Sequence, residues 1–291
     1  MVRLRLLPII ALLAMLLHGC SAIRLGYGQA DSLSRFWIDQ YIDMSSEQDA
    51  LVRDRLARFH AWHRKTQLDD YVALTRQAQK LVTDKPTVAD ALTLGDDIIR
   101  RGRTLAEQAT PDIADLLLTL KPEQIERMAR RMADKNTDHA KEIGLADGAS
   151  GQRKARYKRL LERAEYWLGD LSDEQKENLR LKVEGQPQGI QFWYDERLRR
   201  QRDWLALVRQ VQRDHLARER VVSLLRGYAA RYDLPEDPMR RTQALALRRV
   251  TAEITVALIA NATAEQRGHA KHKLGDLGKD FSELAREALT N

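Results

Sequence analysis

Asp31-Ser32-Leu33-Ser34-Arg35-Phe36-Trp37-Ile38-Asp39-Gln40-Tyr41 is the stretch from which the fold class is read. Leu33, Phe36, Trp37, Gln40 and Tyr41 recur at three- and four-residue spacing, the period of one face of an α-helix. Asp31 or Ser32 offers a side-chain oxygen to cap its start. The period continues outward through Val52, Leu56, Phe59 and Trp62 or His63. Thr66 is expected to cap a helix holding Tyr71, Leu74, Ala78 and Leu81. Pro86 is expected to open one carrying Val88, Leu92 and Ile99, and Thr110-Pro111 to begin another. From about 190 to 231 there is no Pro and Gly only at 227. One helix of about 40 residues, ~60 Å long, is expected there, stopped by Asp233-Leu-Pro235-Glu-Asp-Pro238. The expectation is an all-α, elongated multi-helix bundle with one long helix in the C-terminal half.

Composition agrees. The 291 residues carry 43% apolar and 31% charged side chains, ordinary for a globular protein, and a formal charge of +7. Four Phe and few β-branched runs argue against a sandwich or barrel. The single cysteine excludes a disulfide framework, a Cys-based zinc site and an iron–sulfur cluster.

That cysteine stands in an informative place. Arg3 and Arg5 precede an uncharged apolar run, Leu6 to Leu17, too short to span a bilayer and right for the core of an export signal. Leu17-His18-Gly19-Cys20 follows. It resembles a bacterial lipobox, with an aliphatic residue at −3 and a small one at −1; His18 departs from the usual small residue at the tolerant −2 position. The expectation is cleavage before Cys20 and acylation of that residue, since several buried acyl chains hold a protein on a membrane where one does not. Ser21, where an Asp usually retains lipoproteins in the inner membrane, points to the periplasmic face of the outer membrane.

The expected organisation is a signal at 1–19, a helical half at 20–143 and another at 152–291. The small-residue run 144–151 lies between them, and one continuous domain 20–291 is the alternative. A second break is expected at Gly185-Gln186-Pro187-Gln188-Gly189. Basicity belongs to the middle: residues 153–226 hold 18 basic and 12 acidic side chains. Arg153, Lys154, Arg156, Arg199, Arg200 and Arg202 mark a face suited to an anionic partner. Export argues against nucleic acid and favours anionic lipid, lipopolysaccharide or an acidic protein.

A pentad recurs four times: Met44-Ser45-Ser46-Glu47-Gln48, Leu120-Lys121-Pro122-Glu123-Gln124, Leu171-Ser172-Asp173-Glu174-Gln175 and Ala262-Thr263-Ala264-Glu265-Gln266. It reads as a capping box, with Ser45, Ser172 or Thr263 at the N-cap, Gln reaching back from N3, and Glu complementing the helix dipole. Lys121 cannot accept at its cap, but Pro122 marks a first turn. The pentads also resemble, in part, the Leu-Thr-x-x-Gln motif of small helical periplasmic chaperones of the Spy and CpxP type.

His60 and His63, like His269 and His272, share a helix face, but nothing in the spacing supplies further ligands, so neither a metal nor another cofactor is expected. Tyr27, Trp37, Tyr41 and Trp62 read as core packing, with a membrane contact beside the anchor as the sharper alternative. No nucleophile elbow, zinc-protease helix, phosphate loop or calcium loop is present, so no catalytic residue is expected.

Cys20 is followed by Arg24-Leu25-Gly-Tyr27-Gly-Gln29-Ala30-Asp31, Trp37, Tyr41-Ile-Asp43, Ala61-Trp62-His63-Arg64, Leu120 to Gln124, Arg163-Ala-Glu165, Leu168-Gly169-Asp-Leu171 and Gln175. In these residues the chain resembles a family of uncharacterised proteobacterial lipoproteins, defined as a domain of unknown function, over about its first two-thirds. Gly28 stands where that family often has Asn, and Asp69 where it often has Pro. The resemblance implies an exported, helical, lipid-anchored protein and no known activity. The expected function is a non-enzymatic envelope lipoprotein that binds or scaffolds another envelope component; the alternative is a periplasmic holdase or folding chaperone.

Overall fold

The computed structural model describes residues 22–185 and 189–290. The lipobox residues Leu17, His18, Gly19 and Cys20 lie outside them. The described residues form twelve α-helices and no strand, an all-α multi-helix fold. In chain order they are α1 (Ala22–Gly28), α2 (Ala30–Ile42), α3 (Ser46–Thr66), α4 (Leu68–Thr83), α5 (Val88–Leu117) and α6 (Pro122–Glu142). After a 3₁₀ turn (Leu145–Asp147) come α7 (Gly148–Leu168), α8 (Asp173–Glu184), α9 (Ile190–Asp214), α10 (Arg218–Ala230), α11 (Pro238–Asn261) and α12 (Ala264–Thr290). None of these helices is long and apolar enough to cross a membrane.

Several boundaries depart from the expectation. The single helix over 190–231 is two, because His215 takes a left-handed conformation (φ 47°) between α9 and α10. The longest helix is α5, in the N-terminal half, and it runs straight through Thr110 and Pro111. Pro lacks an N–H and is disfavoured inside helices. Here Thr110 donates its hydroxyl to the Ala106 carbonyl instead of capping a new start. Thr66 ends α3 and donates to the Trp62 carbonyl, so α4 starts without a side-chain cap. Thr87, not Pro86, opens α5, exchanging bonds with Asp90. Helix α2 starts at Ala30 after Gln29, so neither Asp31 nor Ser32 is its cap.

The helices pack around two main apolar cores. The first joins α2, α5, α6, α9 and α10 through Ile42, Leu117, Leu120, Ile125, Met128, Leu207, Val208, Val211, Val221 and Leu225. The second joins α4, α7, α11 and α12 through Val82, Ala164, Leu168, Leu171, Ile259, Ala262, Ala270 and Leu274. Helices α4 and α12 lie closest: a Cβ on Gly278 would fall 2.7 Å from the Thr75 hydroxyl, so the contact requires glycine. At the expected break between the halves, Gly144 is left-handed (φ 64°), and a Cβ there would meet the Gly151 carbonyl oxygen at 2.9 Å.

Candidate functional site: an apolar chamber beside paired capping motifs

The four pentads meet in two pairs. Gln48 Nε2 donates to Gln124 Oε1 (3.1 Å) and to the Thr119 carbonyl (3.0 Å). Gln124 Nε2 donates back to Gln48 Oε1 (2.7 Å) and to the Asp43 carbonyl (3.1 Å). The second pair repeats this. Gln175 Nε2 donates to Gln266 Oε1 and the Asn261 carbonyl, both at 2.8 Å. Gln266 Nε2 donates to Gln175 Oε1 (2.9 Å) and the Asp170 carbonyl (2.8 Å). Each amide oxygen also accepts the N–H of its own N-cap residue, Ser45, Lys121, Ser172 or Thr263. The expected capping box is complete at Ser45, Ser172 and Thr263, while at Lys121, whose ammonium cannot accept, only the Gln124 half forms; in every pentad the box is half of the arrangement. The amide locks two helix ends together, and only Gln can do this: Glu serves a capping box equally well yet has no N–H to donate.

Beside the second pair the helices diverge. A chamber of about 700 Å³ opens between α4, α5, α7, α11 and α12, lined by Leu74, Leu94, Leu105, Trp167, Leu258 and Leu277 among others. These side chains are only half-buried, and Ile98 on the α5 wall is 54% exposed. The volume falls in the range of small-ligand sites, which are apolar with a few polar groups. Two arginines line it. Arg101 is buried and paired, 2.8 Å from Asp70. Arg163 is exposed on α7, with no carboxylate in ion-pair range among the described residues. Sequence spacing carries no sign of the chamber, because its walls come from helices far apart in the chain.

The six residues of the expected basic face are spread over two helices and partly used inside the molecule. Arg199 bridges Glu196 and Asp203, and Arg200 lies over the Tyr232 ring (4.7 Å). Glu196 is fully buried and also held by Arg240 at 2.6 Å. Burial opposes its ionisation, but the two guanidiniums outweigh burial and keep its pKa low. Lys154 and Arg202 are exposed, Arg153 and Arg156 half-buried. On α7, Arg156, Arg159 and Arg163 follow one another along one side of the helix, and of these three Arg163 lines the chamber.

The histidines do not converge. His60 contacts Asp31. His63 is buried, with Nδ1 2.5 Å from the Tyr27 hydroxyl and Nε2 3.2 Å from that of Tyr71. Burial first, then neighbouring His60, pushes its pKa down. His272 pairs with Asp276 at the surface. Among the described residues no three His, Cys, Asp or Glu side chains gather as a metal site.

Helix α2 turns only part of its apolar surface inward. Ile38, Tyr41 and Ile42 turn into the first core. Leu33, Phe36 and Trp37 are 55%, 59% and 64% exposed. The expected core packing holds for Tyr27, which joins Leu68, Leu284 and Ala285, but not for Trp37, which stacks on Tyr41 at the surface.

Together these features define an all-α protein with two amide-locked helix junctions and an open apolar chamber. The chain belongs to a family of unknown function, DUF6279, whose model matches residues 40–228. The match covers the first three pentads and the α7 arginines and begins after the Tyr27–Asp31 run. No curated protein and no solved structure matches the chain.

Proposed function

We propose that this protein is a non-enzymatic lipoprotein, tethered through Cys20 to the periplasmic face of the outer membrane, that binds an apolar ligand or client of the cell envelope. The observation that carries the binding half is the chamber. Apolar walls left half-exposed around an open space lose packing and keep water against hydrocarbon, a cost that an entering apolar group removes. The tether half rests on Arg3, Arg5, the Leu6–Leu17 run and Leu17-His18-Gly19-Cys20. The outward Leu33, Phe36 and Trp37 support it, because aromatic rings favour the lipid–water interface and these sit fewer than twenty residues after Cys20.

Two measurements test the halves separately. The neutral fluorophore N-phenyl-1-naphthylamine should brighten on binding the purified chain, and Gly102→Trp should abolish the signal. Gly102 lines the chamber, and a Cβ there meets nothing within 4 Å, so a side chain can be started at this position. Unchanged probe binding in that variant places the ligand elsewhere. Cys20→Ala should release the protein from membranes and end palmitate incorporation; continued labelling rules out the tether.

A second reading, a holdase or folding chaperone, is favoured by the pentad pairs and by an apolar hollow beside an arginine row. The protein should then suppress aggregation of unfolded envelope proteins. Absence of any effect across several clients argues against it.

A further inference from the structure

We infer that the chamber and the α7 arginine row form one site for a single-chain amphiphile, with an acyl chain lying in the chamber and an anionic headgroup on Arg159 and Arg163. The inference rests on the apolar-ligand reading and names the ligand class. Three observations carry it. The chamber walls are contributed by five helices and are mostly apolar, which suits hydrocarbon, and the hydroxyls of Thr75, Thr251 and Thr255 among them already donate to backbone carbonyls. The two charged lining residues differ: Arg101 is neutralised by Asp70 and lies near Asp97, whereas Arg163 is exposed at the rim with no ion-pair partner among the described residues. Arg159, one turn earlier on α7, has Nη1 buried without a hydrogen-bond partner among the described residues. A buried guanidinium nitrogen without an acceptor is costly, and a carboxylate or phosphate oxygen satisfies it.

The electrostatics point the same way. Burial chiefly, reinforced by Arg163 and opposed by Glu142 and Glu162, pushes the Arg159 pKa down. Burial, and then Arg159, does the same to Arg156. Arg159 and Arg163 repel one another one turn apart beside the apolar space, and an anion between them relieves that repulsion. The headgroup chemistry is shared by a free fatty acid and a lysophospholipid: one acyl chain and one or more anionic oxygens.

The test uses the full-length protein in the cells that make it. Cells are fed a diazirine-bearing palmitic acid or, separately, a neutral diazirine-bearing hexadecanol; after irradiation, adducts are mapped by peptide mass spectrometry. The acid should label peptides containing Ile98, Trp167 and Leu258, with an adduct mass matching free acid or lysophospholipid and so identifying the source. Arg163→Glu should cut that labelling about tenfold without lowering the melting temperature, and Gly102→Trp should remove it. An adduct of diacyl mass, or unchanged labelling in Arg163→Glu, overturns the inference. So does labelling by the alcohol but not the acid, which leaves the apolar-ligand reading standing. If neither probe labels the chamber, both fall. Acyl label on Cys20 reports the tether independently of either result.

Discussion

The Gln48–Gln124 and Gln175–Gln266 junctions use the same hydrogen bonds, yet the helices leaving them enclose different interiors. Around the first, twelve buried apolar residues close the space, and only Ala114 among them is small. Around the second, three of eight are alanine, at 164, 262 and 270. The junction fixes where helices start and end; side-chain volume decides whether the space beyond is filled. With large side chains the bundle closes. With alanines, Ala164 and Ala270 among its walls, it leaves the 700 Å³ chamber. The second junction is also wetter, bordering a polar cleft of about 590 Å³ lined by Ser172, Glu174, Asn178 and His269.

The sharpest test of that equivalence replaces one amide by a carboxylate. Gln48→Glu keeps the capping acceptor but deletes the bonds donated to the Thr119 carbonyl and hydroxyl and to Gln124, and sets a carboxylate against the Thr119 carbonyl and Gln124 Oε1. Gln48 is buried, so the cost should be about 3 kcal/mol. Gln266→Glu should cost less, about 2 kcal/mol, since the cleft lets water reach the new charge. Urea or thermal melts of both variants measure this. A negligible effect at both would reduce the pairs to ordinary capping boxes.

Large-to-small substitutions probe the two interiors directly. Leu117→Ala opens a cavity in the filled core and should cost about 3 kcal/mol. Leu258 already faces open space, so Leu258→Ala should cost about 1 kcal/mol. Equal losses in melts would mean that the chamber wall is packed as tightly as the first core.

How much of this was legible follows from what sequence period encodes. Helix starts with a side-chain cap were readable at Ser45, Ser172 and Thr263, because capping is local. The break at His215 was not, since neither Gly nor Pro marks it. The run 31–41 shows why faces mislead: spacing tells which residues share a side of α2, not which side meets a core. Leu33, Phe36 and Trp37 share a side with one another and Ile38 and Ile42 form the other; tertiary contacts chose the second. The four glutamines carried a signal that local reading passes over, because a capping box alone accepts Glu and every pentad has Gln. Nothing local announced the chamber, and Arg163, the α7 lining cation with no ion-pair partner among the described residues, lies outside the six expected residues.

The smallest predicted effect asks whether acid separates the two regions. His63 bonds Tyr71, and Tyr71 and Phe281 are both chamber walls in edge-to-face contact. Besides the two tyrosines, His60 and Arg64 stand near this ring, and His60 and burial both disfavour its protonation. With the folded pKa lowered, the unfolded chain takes up the proton first as pH drops below about 6.5. The stability His63 contributes is therefore complete above that pH and declines as pH falls toward the lowered value. Hydrogen exchange at pH 7.5 and 5.5 should show protection lost in α1, α4 and α12, while amides of α5, α6 and α9 around the first junction keep theirs. His63→Gln, which retains a hydrogen-bonding side chain without a titrating ring, should reduce the difference to the share of His60, whose pKa burial and Arg64 also lower. Equal loss around both junctions would mean that acid acts through other groups, and that the two interiors open as a single unit.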